Sequence, residues 1–171
     1  MKMSDGNCFS TPAGFRGMYS FEHVRNGEII DTWSQPNLIP TEGLNYILDL
    51  LFQAGTSKQL GWYMGLGTGG HTPAATDTAA NLPTLVVETS AYTGTRPSVV
   101  MLSASGGAAT NSASKATFTF TSAVTLTNAF VVSTATGTTG VALSSLAISP
   151  SKVMASGDQL IVTFSFSATS V

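Results

Sequence analysis

Ala116, Phe118 and Phe120 alternate with Thr117, Thr119 and Thr121. Leu160, Val162, Phe164 and Phe166 alternate in the same way with Thr163, Ser165 and Ser167. A period of two puts apolar side chains on one face of a strand and hydroxyls on the other, and no helix tolerates it. Turn clusters separate the strand candidates: Ser105-Gly106-Gly107, Thr136-Gly137-Thr138-Thr139-Gly140 and Ser156-Gly157-Asp158. From Leu85 onward the pattern predicts strands at 84–89, 98–104, 115–121, 126–134, 141–148 and 158–168. Short strands at this spacing imply a mainly β chain, a β-sandwich or a jelly-roll-like fold. No repeat of about 20–50 residues suggests a solenoid or propeller.

The first third of the chain adds a hairpin and a helix. Tyr19 and Phe21 alternate with Ser20 and Glu22, and Asn26-Gly27 is a strong signal for a type I′ turn. The hairpin is expected over 17–34. Leu44, Ile47, Leu48 and Leu51 recur at i, i+3, i+4 and i+7, which predicts one amphipathic helix over about 41–54. Thr41 is its expected cap, Glu42 complements the positive end of its dipole, and Gly55 its left-handed stop. Gly43 weakens it slightly. The apolar stripe is expected to lie on a face of the sheet. A further strand is expected from Gly61 to Leu66. The Gly/Thr/Ala/Pro segment 67–83 then holds a helical turn capped by Thr72 ahead of Pro73. Residues 1–16 show no period and read as an N-terminal arm, with Phe9 and Phe15 as candidate apolar anchors for a neighbouring subunit. Residues 17–171 read as a single β-rich domain.

Composition bears on function through charge. Only 9% of the 171 residues are charged, against about 25% in typical soluble domains. No residue between Lys115 and Lys152 carries a formal charge, so strand edges there lack the usual protection against pairing. Both features favour a protein that lives inside an assembly. The net charge of −2 offers no basic footprint for nucleic acid. No apolar run of about 18 residues suggests a membrane span. The beginning of the chain shows no apolar signal-peptide core, so synthesis and residence in a cytosol are expected. The single cysteine, Cys8, excludes an intrachain disulfide and reads as an inert thiol.

Chemistry-bearing motifs are few. Gly65-Leu66-Gly67-Thr68-Gly69-Gly70 fits a dinucleotide fingerprint, with Glu88 near the distance of a ribose contact. His71, Thr72 and Pro73 follow where a long helix is required, so a flexible turn is the better reading. His23 and His71 are the only histidines, too few with one cysteine for a zinc site. No G-x-S-x-G elbow appears, and no two carboxylates pair in sequence. Tyr92 and Arg96 flank a Gly-containing turn and are expected to pin it. Trp33, Trp62 and Tyr63 could form a sugar platform, though core packing is the commoner fate of such aromatics. Neither catalytic residues, nor a metal, nor a cofactor are expected, and the chain is not expected to be an enzyme.

Several stretches, taken in order, carry a resemblance. They are Asn37 through Asp49 after an Asn-Gly hairpin, Trp62-Tyr63-Met64-Gly65-Leu66, Thr72 through Asn81, and Glu88 through Tyr92 to Arg96. Asn111-Ser112-Ala113-Ser114-Lys115-Ala116 and Ser156-Gly157-Asp158-Gln159-Leu160 complete the set. Over roughly residues 17–168 this order resembles small virion proteins of tailed bacteriophages, among them capsid cement or head decoration proteins. The resemblance implies a mainly β, jelly-roll-like subunit without an active site. It would be made in the bacterial cytoplasm and sit on the outer surface of the capsid in the virion. Its partners would be the major capsid protein and itself, as dimer or trimer, with no nucleic acid and no membrane. A tail, fibre or baseplate component is the alternative station, and a carbohydrate-binding β-sandwich the alternative class.

Overall fold

The computed structural model describes residues 14–169. Ten elements follow in chain order. Strands β1 (Gly14–Arg25) and β2 (Glu28–Asn37) precede helix α1 (Thr41–Phe52) and strand β3 (Tyr63–Gly67). A single turn of helix, α2 (Leu82–Leu85), leads to β4 (Ala108–Thr110) and β5 (Ala116–Thr119). Strands β6 (Val124–Val132), β7 (Ala142–Met154) and β8 (Gln159–Thr169) complete the fold. The chain is mainly β, as the alternation predicts, and forms two antiparallel sheets packed as a sandwich.

One sheet runs β2-β1-β8, with β4 and β5 both on the far edge of β8; the other runs β3-β6-β7. The β1–β2 hairpin turns at Asn26 and Gly27, whose φ of 53° and 85° are the two left-handed residues a type I′ turn demands. Asn111 fills the gap between β4 and β5. Its side chain accepts from the Phe164 N–H at 2.7 Å and donates to the Val162 carbonyl at 3.3 Å, standing in for missing ladder bonds.

The faces predicted by alternation meet between the sheets. Tyr19, Phe21, Phe118, Leu160, Val162 and Phe164 pack against Met64, Leu66, Leu126, Ala129 and Val131. The Tyr19 hydroxyl lies 2.8 Å from Ser144 Oγ, and burial pushes this phenol well above its usual value. The other face of β6 is buried too. Phe130 and Val132 pack with Ala79, Leu82, Val86 and Ala142, so the 68–87 excursion roofs the second sheet.

That roof explains the main misreadings. Residues 84–89 form no strand: Leu82 and Val86, one helical turn apart, drop onto Phe130, and Val87 takes a φ of 51° to leave the turn. No helical turn starts at Thr72; the helix of this segment comes ten residues later, with Pro83 in its first turn. Residues 98–104 form no strand, and a single isolated bridge joins Ser98 to Tyr63. β1 begins at Gly14, paired with Thr169, so residues 14–16 belong to the strand and not to an arm.

Part of the sheet edge near the uncharged stretch is covered from within. Leu38 and Ser145 exchange backbone bonds of 3.0 Å, tying the end of β2 to β7. On the opposite side the Met64 N–H donates to Pro97 and the Val99 N–H to Trp62, which covers β3. The Thr93 N–H donates to Thr119 and the Thr121 N–H to Ala91, which covers β5. β3, β5 and β7 at Ser145 are thus paired within the chain, whereas among the described residues no strand pairs with the outer edge of β7 from Leu146 to Met154.

Candidate interaction surface

Helix α1 docks by its first turn. Pro40 is the residue before it, and Thr41 lies inside it and makes no side-chain cap, contrary to expectation. The work falls to Glu42. Its Oε2 accepts the backbone N–H of Ala79 at 2.8 Å and of Ala142 at 2.6 Å, joining helix, roof and β7. Gly43 lies against β7 so closely that a Cβ there would meet the Ala142 carbonyl oxygen at 2.6 Å. The glycine that costs helix propensity is what lets the helix approach the sheet.

Beyond that turn the helix leaves its stripe open. Leu44 and Ile47 are half-buried, but Leu48 is 47%, Leu51 66% and Phe52 76% exposed, and the helix ends at Phe52 rather than 54. Only half of the predicted stripe lies on the sheet. The loop after the helix folds back, with the Gln59 N–H donating to Tyr46 Oη at 2.6 Å, and presents Leu60 fully to solvent. Two hollows adjoin this shelf. One of about 230 Å³ lies among Tyr46, Ile47, Leu50, Trp62, Met101 and Phe166. The other, of about 330 Å³, lies among Lys58, Leu60, Trp62, Val100 and Met101. A second apolar patch sits on the hairpin, where Ile29 and Ile30 are at least half exposed.

The two anchor candidates divide. Phe9 lies outside the described residues. Phe15 sits in β1, half-buried, with its ring 5.6 Å from Phe166, and lines a groove of about 500 Å³ with Met18, Pro36, Ile39 and Leu44. It is thus an integral strand residue bordering an open groove that Arg16, Asn37, Ser165 and Ser167 also line.

The remaining motifs serve the fold. In the glycine motif, Thr68 and Gly69 donate their N–H groups to the Val86 carbonyl at 2.9 and 2.7 Å, so these amides are spent on the roof. A Cβ at Gly65 would enter the Phe130 ring, and one at Gly67 would meet the Val86 carbonyl oxygen at 2.5 Å. Glu88 binds Arg96 through two bonds of 2.6 Å, while Arg96 also donates to the carbonyls of Thr134 and Gly137 and lies 5.2 Å from the Phe130 centroid. Arg96 therefore pins its loop as expected, without stacking on Tyr92, which packs edge-on against Phe118. Burial, with Glu88 nearby, pushes the Tyr92 phenol up to about 12.

Both histidines pair with buried carboxylates. Asp158 accepts from His23 Nε2 at 2.7 Å, from Arg25 twice and from the Ala155 N–H. The Arg25 guanidinium holds its carboxyl far below the usual range, with the Ala155 amide and His23 adding to this against the opposing effect of burial. Asp77 accepts from His71 at 2.9 Å and from the Ala74 N–H. Asp31 pairs with Lys152 at 2.6 Å. Among the described residues no group of three or more His, Cys, Asp or Glu is placed to hold a metal ion.

The aromatic platform is also altered. Trp33 stacks on Phe21 at 4.7 Å and has the Lys152 ammonium 4.4 Å over its ring, so its faces are taken. Trp62 meets Tyr46 edge-on at 5.8 Å and borders the shelf. No described helix is long and apolar enough to cross a membrane. No family model and no curated protein matches the chain.

Proposed function

We propose that this chain is a structural subunit of a bacteriophage virion, of the capsid decoration kind, that binds the outer head surface and bridges capsomers. It acts by contact and not by catalysis. The observation that carries the reading is exposed apolar surface on a chain poor in charge: Leu51, Phe52 and Leu60 on the shelf, Ile29 and Ile30 on the hairpin. Monomeric soluble proteins rarely leave large contiguous apolar patches open, and such patches mark contact sites. The sequence resemblance supports the virion as the place where they are covered. Small interfaces repeated over a symmetric shell add up to collective stability.

Particles made without the chain test this directly. The reading expects them to lose heat tolerance and to package DNA at lower density. Unchanged tolerance and density would remove the cement role, and antibody label at one pole of the particle would move the protein to the tail.

A further inference from the structure

We infer that the hollow between the 88–96 and 134–137 loops is a binding site for one neutral sugar unit. The hollow measures about 260 Å³, and Glu88, Ser90, Tyr92, Thr95, Arg96 and Thr136 are among its lining residues. Arg96 holds the two walls together. It donates to both carboxylate oxygens of Glu88 on one side and to the carbonyls of Thr134 and Gly137 on the other. The site is therefore formed before a ligand arrives, which lowers the cost of binding. Tyr92 is only 7% exposed, yet among the described residues its hydroxyl has no hydrogen-bond partner. A polar group buried to this degree ordinarily has one. A ligand in the hollow can supply it.

Charge narrows the ligand. Glu88 and Arg96 neutralise each other through two bonds of 2.6 Å. An entering anion would be repelled by the carboxylate and a cation by the guanidinium, and either would be desolvated with no free counter-charge to meet it. A neutral polar ligand avoids both costs. Tyr92 feels the charges of Glu88 and Arg96 without bonding to either. A phenol donor and a carboxylate acceptor that line one hollow without meeting call for a group that accepts from the first and donates to the second. A hydroxyl does both, whereas an amide N–H or a carbonyl does only one. Glu88 has lone pairs to spare, since each of its oxygens takes a single N–H from Arg96. Ser90, Thr95 and Thr136, all exposed, add hydroxyls for neighbouring ligand oxygens. Several adjacent hydroxyls on one small ring define a sugar. The volume falls below the about 300–1,000 Å³ of sites for drug-sized ligands, so the hollow takes one ring at a time. It shares no lining residue with the hollows of the α1 shelf, and the inference does not rest on the virion reading.

Amide NMR spectra of the purified full chain, titrated with the methyl glycosides of glucose, galactose, mannose and N-acetylglucosamine, are the test. At least one of the four should shift the amides of Gly94, Thr95 and Gly137 and saturate in the millimolar range, as suits a few neutral hydrogen bonds. Gluconate and glucosamine, one an anion and the other a cation, should bind more weakly. Tyr92→Phe keeps the ring and its edge-on contact with Phe118, so the melting temperature should stay while binding weakens by about fivefold. Thr136→Trp, at an exposed position, should fill the hollow and abolish binding with the fold kept. No saturable shift with any of the four glycosides, shifts confined to another surface, equal or tighter binding of gluconate or glucosamine, or binding indifferent to Tyr92→Phe or to Thr136→Trp would each overturn the inference.

Discussion

Glu42 and Ala142 stand 100 residues apart in sequence, and the carboxylate of the first accepts the backbone N–H of the second at 2.6 Å. The same oxygen takes the Ala79 N–H. One side chain thus satisfies two amides of buried residues and fixes the helix that carries the shelf. Glu42→Ala leaves both amides without a partner and should cost about 2–3 kcal/mol in stability. Glu42→Gln keeps an acceptor oxygen and should lose roughly half as much. Denaturant melts of the two variants check the order.

Gly43→Ala pits propensity against packing. Alanine is favoured over glycine inside a helix by about 1 kcal/mol. The added Cβ meets a backbone carbonyl oxygen, which cannot swing aside as a flexible side chain would. The clash should win, with a net loss of about 1–2 kcal/mol. A melting temperature at or above that of the parent chain would contradict the docking described for α1.

Asp158 sets the acid limit. Its carboxyl pKa is lowered in the fold, so it contributes stability above the unfolded carboxylate value, and that contribution is lost as pH falls toward the folded value. The unfolded reference lies near about pH 3.9, so the loss falls below about pH 4. Asp158→Asn should lower the melting temperature at neutral pH and flatten its fall below about pH 4. Thermal melts from neutral pH to about pH 2 show whether the two curves converge.

Arg96 is almost wholly buried, at 4% exposure, and Glu88 is its only acidic partner among the described ion pairs. Arg96→Met strands Glu88 and two carbonyls and should cost about 3 kcal/mol. Arg96→Met with Glu88→Leu removes both charges and should recover part of that loss. A double-mutant cycle reads the coupling. Arg96→Lys should not rescue, since an ammonium cannot form the two-pronged contact.

Much of the sandwich was legible because its signals are local. Asn26-Gly27 names its own turn, and the Phe-Thr and Phe-Ser alternations of β5 and β8 each declare a single buried face. Legibility failed where the reason for a conformation lies elsewhere in the chain. The Leu-Val-Val run at 85–87 has strand composition, yet Leu82 and Val86 are spaced to cover Phe130 from above, and that demand is invisible without β6 beside it. β4 escaped notice because three small residues, Ala108 to Thr110, carry no period. The glycines of the 65–70 motif look like a phosphate cradle, whereas they admit the Phe130 ring and the Val86 carbonyl. Half of the α1 stripe was placed correctly on the sheet. The exposed half can be recognised only once the sheet is seen to stop short of Leu51.

The central claim is that the open apolar surface of this chain is covered on a phage particle. Antibody labelling of purified particles of a phage whose genome carries this sequence, with quantitative mass spectrometry of the same particles, tests that claim most directly. The account predicts many copies per particle and label spread over the head. Particles free of the chain, with all of it left in the soluble fraction, would contradict it.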